Sequence, residues 1–292
     1  MFQRATLVGV GLIGGSLGMA LRARGLAREV VGVTRTEAAI SAARDRGAID
    51  RGTVDPVAGV DGADLVILAV PPGQVVPVAR RVIPYLRREA LVTDVASVKG
   101  EVVRSVDAFI GAERAVTFVG GHPMAGNEGQ GIAAADPGLF EETVYLLTPT
   151  PTTPRAGVDR LAALVRAFGA LPIEIEPEEH DRTVALVSHL PYLVAAALMG
   201  ATGDAVPAAG PAFLGATRVA GSPVALWAQI CRLNREQIQL ALRAFRDELA
   251  RLEAAIGNGD RLDALLEAAR DARRRLGARR GIPDTDKKER GG

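Results

Sequence analysis

The stretch that most constrains this chain is GVGLIGG at residues 9–15, which follows the apolar run Ala5 to Val8. Gly9, Gly11 and Gly14 stand in the spacing G-x-G-x-x-G, and Leu21-Arg22-Ala23-Arg24 beyond them are helix formers. Strand, tight turn and helix in that order open a βαβ unit. Gly9 permits the turn, Gly11 lets backbone amides approach a pyrophosphate, and Gly14 lets the helix pack closely on the strand. The helix dipole favours the anion. Leu12 and Ile13 belong to the same expected dinucleotide contact, as do Val70 and Pro71 at the end of a later strand. A tight glycine turn without a ligand is the competing reading.

The adenosine ribose should meet the chain about twenty residues further on, at the end of the second strand. The residues there are Thr34, Arg35 and Thr36, with no carboxylate among them. A carboxylate would accept from a 2′-hydroxyl and repel a 2′-phosphate, whereas a guanidinium flanked by hydroxyls does the reverse. The expected cofactor is NADP, with NAD second. Arg35 as a mere solvated loop charge is the alternative.

Composition removes several other classes. The chain has 292 residues, 48% hydrophobic and 24% charged, enough for one large or two moderate cores. Lys and Arg number 35 against 34 Asp and Glu, and aromatics make up 4%, so nucleic acid is not an expected partner. Cys231 is the single cysteine, which rules out an internal disulfide and fits a reducing cytoplasm; no metal site is expected. The segment Ala5 to Leu21 is uncharged, but its glycines and missing cleavage pattern separate it from a signal peptide. The apolar stretch Leu193 to Met199 reads as too short for a membrane span, so no membrane partner is expected.

Along the chain, short β-rich runs alternate with helical patterns up to residue 176. The expected strands are Ala5–Val8, Val30–Val33, Leu65–Val70, Leu91–Asp94, Val116–Val119, Val144–Leu147 and Ile173–Ile175. From Pro177 onward helical patterns take over. The organisation is an α/β Rossmann-type domain over 1–176, an all-helical domain over 177–276 and a polar, disordered tail over 277–292. Ile238, Leu242, Phe245, Leu249, Leu252 and Ile256 fall four and three apart, a stripe that serves a core or subunit association. Asn258-Gly259 ends that helix, and another starts near Asp260.

Residues 120–126 read GGHPMAG directly after an apolar run, which places His122 in a loop at the mouth of the crevice beyond the strand ends. The loop histidine could equally cap its neighbours. Four blocks resolve the ambiguity: GVGLIGGSLG, TDVASVK at 93–99, GGHPMAG, and SHLP at 188–191 followed by ATRVAGSP at 216–223. In this order they resemble the prephenate/arogenate dehydrogenase family, over most of residues 1–275, and look most like NADP-dependent arogenate dehydrogenases of the cyanobacterial kind.

That resemblance implies a Rossmann-type domain followed by a helical domain through which two subunits dimerise. It also implies oxidative decarboxylation of arogenate or prephenate in tyrosine biosynthesis. His122 would take the hydroxyl proton as general base, a role worth about 10²–10⁴ in rate. Ser97 would hydrogen-bond substrate and histidine, a role compatible with its being a helix N-cap. Arg218 would bind a substrate carboxylate bidentately. His189 would contact substrate, or be a satisfied core histidine near a kink at Pro191. Lys99 reads as a solvated first-turn charge and His180 as part of a helix start. Many relatives carry a second histidine after SHLP where this chain has Tyr192, which bears on recognition of the substrate side chain; Glu128 is a candidate polar lid residue. Competing readings are another NADP-dependent enzyme, such as a β-hydroxyacid dehydrogenase or imine reductase, and a redox sensor that binds NADP without turnover.

Overall fold

The computed structural model describes residues 1–110, 116–127 and 129–279, with backbone alone at 204–206 and 277–279. The chain divides into two compact units, residues 1–238 and 239–292. The first contains an eight-stranded sheet of β1 (Phe2–Val8), β2 (Ala27–Val33), β3 (Arg51–Thr53), β4 (Leu65–Leu68), β5 (Leu91–Asp94), β6 (Thr117–Pro123), β7 (Val144–Thr148) and β8 (Leu171–Glu174). Their order is β3-β2-β1-β4-β5-β6-β7-β8, parallel throughout except that β7 runs antiparallel to β6. The order reverses between β1 and β4. Open α/β sheets form their ligand crevice at such a point, beyond the strand carboxyl ends.

The apolar runs became strands because a parallel sheet covered by helices buries both faces of each strand. In β4, Leu65 and Ile67 pack on one side with Leu17 and Leu21 of α1 (Leu12–Ala23) and Ile40 of α2 (Glu37–Asp45). Val66 and Leu68 face the other side. They meet Val75 and Ala79 of α4 (Pro72–Val82) and Val102, Val103 and Val106 of α5 (Gly100–Ile110), while α3 (Pro56–Val60) covers the edge near β2. Each fully buried Leu, Ile or Val contributes about 1.5–3 kcal/mol relative to exposure. Strand β3 escaped the sequence reading because Arg-Gly-Thr offers no apolar run, and its residues are exposed or half-buried.

Strand β6 changes partner midway. Thr117 to Val119 pair with β5, and Gly120 to Pro123 pair with β7. A Cβ on Gly120 would lie 2.3 Å from Thr148 Oγ1, and one on Gly121 would lie 2.7 Å from the Asp94 carbonyl oxygen. Only glycine lets the strand pass between its two partners there. His122 therefore stands in a strand, opposite Leu146, and not in the loop expected after Val119.

After β8 the first unit is helical. Helix α6 (Arg155–Ala167) precedes β8; α7 (Pro177–Val184), a π-helical turn over Ala185–His189, and α8 (Leu190–Thr202) then form one continuous helix, followed by α9 (Pro211–Thr217) and α10 (Val224–Leu233). Pro191 lacks the N–H for an intrahelical bond, and the wider π turn just before it absorbs the defect that was expected as a kink. By length and composition the 26-residue helix Pro177–Thr202 could cross a bilayer, which corrects the seven-residue estimate. Its buried residues nevertheless include His180, Asp181 and His189, so this helix carries polar groups of the interior.

The second unit comprises α11 (Arg235–Ala255), which starts in the first unit, and α12 (Gly259–Arg279). Helix α12 extends through 277–279, residues expected in the disordered tail.

Candidate active site

The glycine turn has the geometry that its spacing demands. Gly9 adopts φ +97, where a Cβ would lie 2.3 Å from the Ala69 carbonyl oxygen. A Cβ on Gly14 would lie 2.0 Å from the Gly9 carbonyl oxygen, which is how closely α1 meets the turn. Gly11 faces open space instead and occupies the N-cap of α1, with no side chain capping the helix and no acidic residue in its first turn. The first amides of α1, at Leu12 and Ile13, are left for an anion at the sheet's switch point. Val70, against which a Gly9 Cβ would press, and Pro71 lead into α4 from the neighbouring strand. These residues fit a dinucleotide pyrophosphate.

At the end of β2 the Arg35 side chain is exposed. The Thr34 hydroxyl donates to the Thr36 carbonyl oxygen at 2.9 Å, and the Thr36 hydroxyl caps α2 by accepting from the Ala39 N–H at 3.2 Å. The two threonines thus order the turn that presents Arg35.

A second group of residues gathers where β6 leaves the sheet. His122, Pro123, Met124, Ala125 and Gly126 line a cleft of about 420 Å³ together with Leu139, Thr143, Val187 and Ser188. Behind the cleft, His122 Nδ1 lies 2.9 Å from His180 Nε2, and His180 Nδ1 lies 2.8 Å from Asp181 Oδ1. Asp181 also accepts the backbone N–H of Lys99 at 2.7 Å and of Gly100 at 2.9 Å. The cap of α5 is therefore Asp181, supplied from a distant helix, and not Ser97, for which an N-cap was the alternative reading. Asp94, at the end of β5, accepts from Gly121 N at 3.2 Å and from Ala96 N at 3.0 Å, and it pairs with the Lys99 ammonium. Lys99 is wholly buried, which corrects its reading as a solvated charge. His180 is also wholly buried, so it is no ordinary helix-start residue.

Electrostatics keep this cluster neutral at its centre. Burial holds His122 well below the usual histidine range, and His180, Lys99 and His189 push in the same direction. Burial likewise lowers His180, with the hydrogen bond to Asp181 acting against it. Burial pushes the Asp181 carboxyl up, but the hydrogen bonds from His180, Lys99 and Gly100 outweigh it and the net shift is downward. His122 is thus an unprotonated imidazole at pH 7, half of what a general base requires.

His189 follows the cleft-lining Val187 and Ser188 in the chain and is fully buried, and burial lowers it to about 4. The Asn234 amide donates to the Asp181 carbonyl oxygen at 2.8 Å and lies 3.2 Å from His189 Nδ1. Since the amide nitrogen can only donate, Nδ1 accepts and the proton resides on Nε2, which makes no hydrogen bond among the described residues. The Trp227 ring meets His189 edge-on, with centroids 6.0 Å apart, and stacks flat on Tyr192 at 3.8 Å.

The sequence-derived residues are therefore brought together only in part. His122 lines the cleft, His189 is buried next to the cleft-lining Ser188, and the Ser97 backbone acts on His189. Tyr192 belongs to the aromatic stack, and Arg218, on the turn Arg218–Gly221, is exposed; neither lines the cleft. Glu128 lies outside the described residues. Among the described residues, no His, Cys, Asp and Glu group could hold a metal ion.

His180, Asp181, Asn234 and Asp94 were missed. A signal existed for the first two: Pro177, His180, Asp181 and Val184 are the buried residues of α7, spaced three, one and three apart, so the polar pair shares a face with Pro177 and Val184. Asn234 comes from a separate element and leaves no such trace; Asp94 stands inside the TDVASVK block, but its role depends on Gly121 and Lys99 packing against it.

Comparison with known proteins completes the picture. The profile described as "Prephenate dehydrogenase, nucleotide-binding domain" matches residues 17–174, and "Prephenate dehydrogenase, dimerization domain" matches residues 176–270. A prephenate dehydrogenase of Bacillus subtilis is 35% identical over 80% of this chain, which spans 64% of that relative's length. The arogenate dehydrogenase structure of Synechocystis superposes with a TM-score of 0.81 at 31% identity, covering 94% of this chain and all of that one. The prephenate dehydrogenase of A. aeolicus, in complex with hydroxyphenyl propionate and NAD+, gives 0.85 at 30% identity, over 94% and 99% of the two chains. With two domain profiles end to end along residues 17–270 and a shared fold over most of its length, this chain belongs to the prephenate dehydrogenase family.

Proposed function

We propose that the protein is an NADP-dependent arogenate dehydrogenase, which oxidises and decarboxylates arogenate to tyrosine. The observation that carries the reading is a neutral, buried His122 lining a cleft at the carboxyl end of β6. Bound at the glycine turn, the nicotinamide cofactor supplies the acceptor for the hydride that leaves the ring carbon bearing the hydroxyl. His122 takes the proton of that hydroxyl, and Ser97 hydrogen-bonds the same oxygen. The ring carboxylate departs as carbon dioxide, and its bonding pair completes the aromatic ring. Arg218 engages a substrate carboxylate as a charge-assisted pair. Glu128 is assigned to substrate recognition from the sequence alone, and two copies associate through the helical domain.

Arogenate is chosen over prephenate on the chemistry of the side chain, an ammonium in one and a keto group in the other. His122 and His189 are held neutral, so they do not repel a cation, and Tyr192 places a phenol where a further histidine could take up a proton. NADP is chosen because exposed Arg35 offers a positive charge at the end of β2. The test is kcat/KM with each substrate and each cofactor at neutral pH. Arogenate with NADP should lead by at least about tenfold over NAD, about 1.4 kcal/mol, and Arg35→Asp should reverse the cofactor order. Tyr192→His should move the substrate ratio toward prephenate. Equal use of the cofactors, or a ratio favouring prephenate in the unmodified protein, overturns the corresponding choice.

A further inference from the structure

The reading of His122 as base leaves His180 and Asp181 without a role, although both are buried and joined to it in a line. Their hydrogen bonds decide where each proton sits. Asp181 accepts three times, from His180 Nδ1, Lys99 N and Gly100 N, and its carboxyl is held in the ionised form. An ionised carboxylate has no proton to give, so His180 must donate through Nδ1–H. A neutral His180 then presents a lone pair at Nε2, and His122 at 2.9 Å must donate its own Nδ1–H to it. That leaves the lone pair of His122 on Nε2, the ring nitrogen not engaged behind the cleft.

We propose that His180, backed by Asp181, is a positioning residue for the reaction: it fixes His122 in the Nδ1–H tautomer and stabilises the imidazolium that forms when His122 Nε2 accepts the substrate proton. The bookkeeping is simple. One O–H bond breaks, one N–H bond forms on His122, and no oxidant beyond the cofactor is involved. The positive charge created is shared along the line toward a carboxylate, as a carboxylate behind a catalytic imidazole does elsewhere. Geometry also fixes the direction. Asp181 is anchored by the first amides of α5, so the line is tied to the sheet side of the site at one end and to β6 at the other. The proposal rests on the reading of His122 as base.

The charged and titratable groups that face this line are Asp94 from β5, Lys99 before α5, Tyr145 from β7, His189 from the π turn, and the pair itself. Asp94 and Lys99 pair with each other, Tyr145 stays protonated because burial raises it, and His189 is neutral. The nearest uncompensated charge is therefore Asp181.

Two substitutions separate the arms of the line. His180→Gln places an amide oxygen near the former Nε2, so the bond to His122 can survive. His180→Asn retains only the arm toward Asp181. With arogenate and NADP, kcat should fall about tenfold in His180→Gln and about a hundredfold in His180→Asn, with KM changed less than about twofold. The acid limb of the kcat–pH profile should move to lower pH in His180→Asn, because the imidazolium loses its acceptor. Equal, small losses in both variants with an unmoved acid limb would show simple packing and overturn the proposal.

A second measurement needs no turnover and no variant. Long-range proton–nitrogen spectra of the unmodified protein, with its three histidines, should show His122 and His180 protonated on Nδ1 and His189 on Nε2. Finding His122 protonated on Nε2 overturns the relay even if the enzyme is active. An unmodified protein inactive on both substrates but showing the expected tautomers would instead overturn the reading of function and leave the hydrogen-bonded line standing.

Discussion

Helices α7 and α11 both place residues on the side where composition alone would not put them, and in opposite senses. On α7, His180 and Asp181 share the buried face with Pro177 and Val184. On α11, the apolar stripe is buried at Ile238 and half-buried at Leu242, Phe245 and Leu252, but Leu249 is 54% exposed, and Ile256, just past the helix end, is 72% exposed. Desolvating an imidazole and a carboxylate costs several kcal/mol unless each polar atom finds a partner, and here they find each other, His122 and the amides of α5. Leaving a row of Leu and Ile in water forgoes about 25 cal/mol for each Å² that a partner could cover. A buried polar face marks chemistry, whereas a regular exposed apolar face marks association.

The largest test breaks the apolar side. Replacing Leu249 and Leu252 together by Glu should weaken self-association by about a thousandfold or more, about 4 kcal/mol, because two carboxylates would enter an apolar contact unpaired. Sedimentation velocity over a concentration series reads this directly. A variant that remains as dimeric as the unmodified protein removes α11 from the interface.

On the polar side, His122→Ala should lower kcat by at least about a hundredfold with cofactor binding nearly unchanged. Single-turnover measurements isolate the chemical step, and near-normal turnover there would dismiss His122 as the base.

The smallest effect concerns stability. His122, His180 and His189 are all held below the ordinary histidine value by burial. Their pKa values are lower folded than unfolded, so their contribution is fully present above about 6.5 and declines as pH falls through the window below it, which for His189 extends to about 4. Between pH 7 and pH 6 the unfolding free energy should therefore fall, His189 alone contributing about 0.7 kcal/mol and the other two adding in the same direction. Urea unfolding at the two pH values checks the sign, and His189→Gln should remove its share of the difference. Stability that rises on acidification would mean that the polar face of α7 is not sealed.

Much of the molecule was legible in its amino-acid sequence. Six of the eight strands appear as apolar runs because both of their faces are covered; β8, a largely exposed edge strand, was read from Ile173 to Ile175 between prolines, and β3, a half-buried edge, has no apolar run at all. The glycine turn was legible because it serves a local backbone need: Gly9 at φ +97 and Gly14 pressed against the Gly9 carbonyl. Lys99 was misread because a lysine at a helix start is normally solvated, and it is Asp94, five residues earlier at the end of β5, helped by Asp181, that makes its burial tolerable.

By itself, then, the sequence determined what local rules can express: the βαβ opening, the switch to helices near Pro177, and the histidine set between Gly121 and Pro123. The tertiary structure decided what depends on residues far apart in the chain. It carried β6 past its first partner so that His122 lies in a strand, and it brought His180, 58 residues away, together with Asp181 to stand behind it. It also used Asn234 to set the tautomer of His189 across a sequence gap of 45. Helical period and strand alternation record which face of an element is buried, but a hydrogen bond between two elements leaves no period in either, so the electrostatics of the site were settled only when the elements packed.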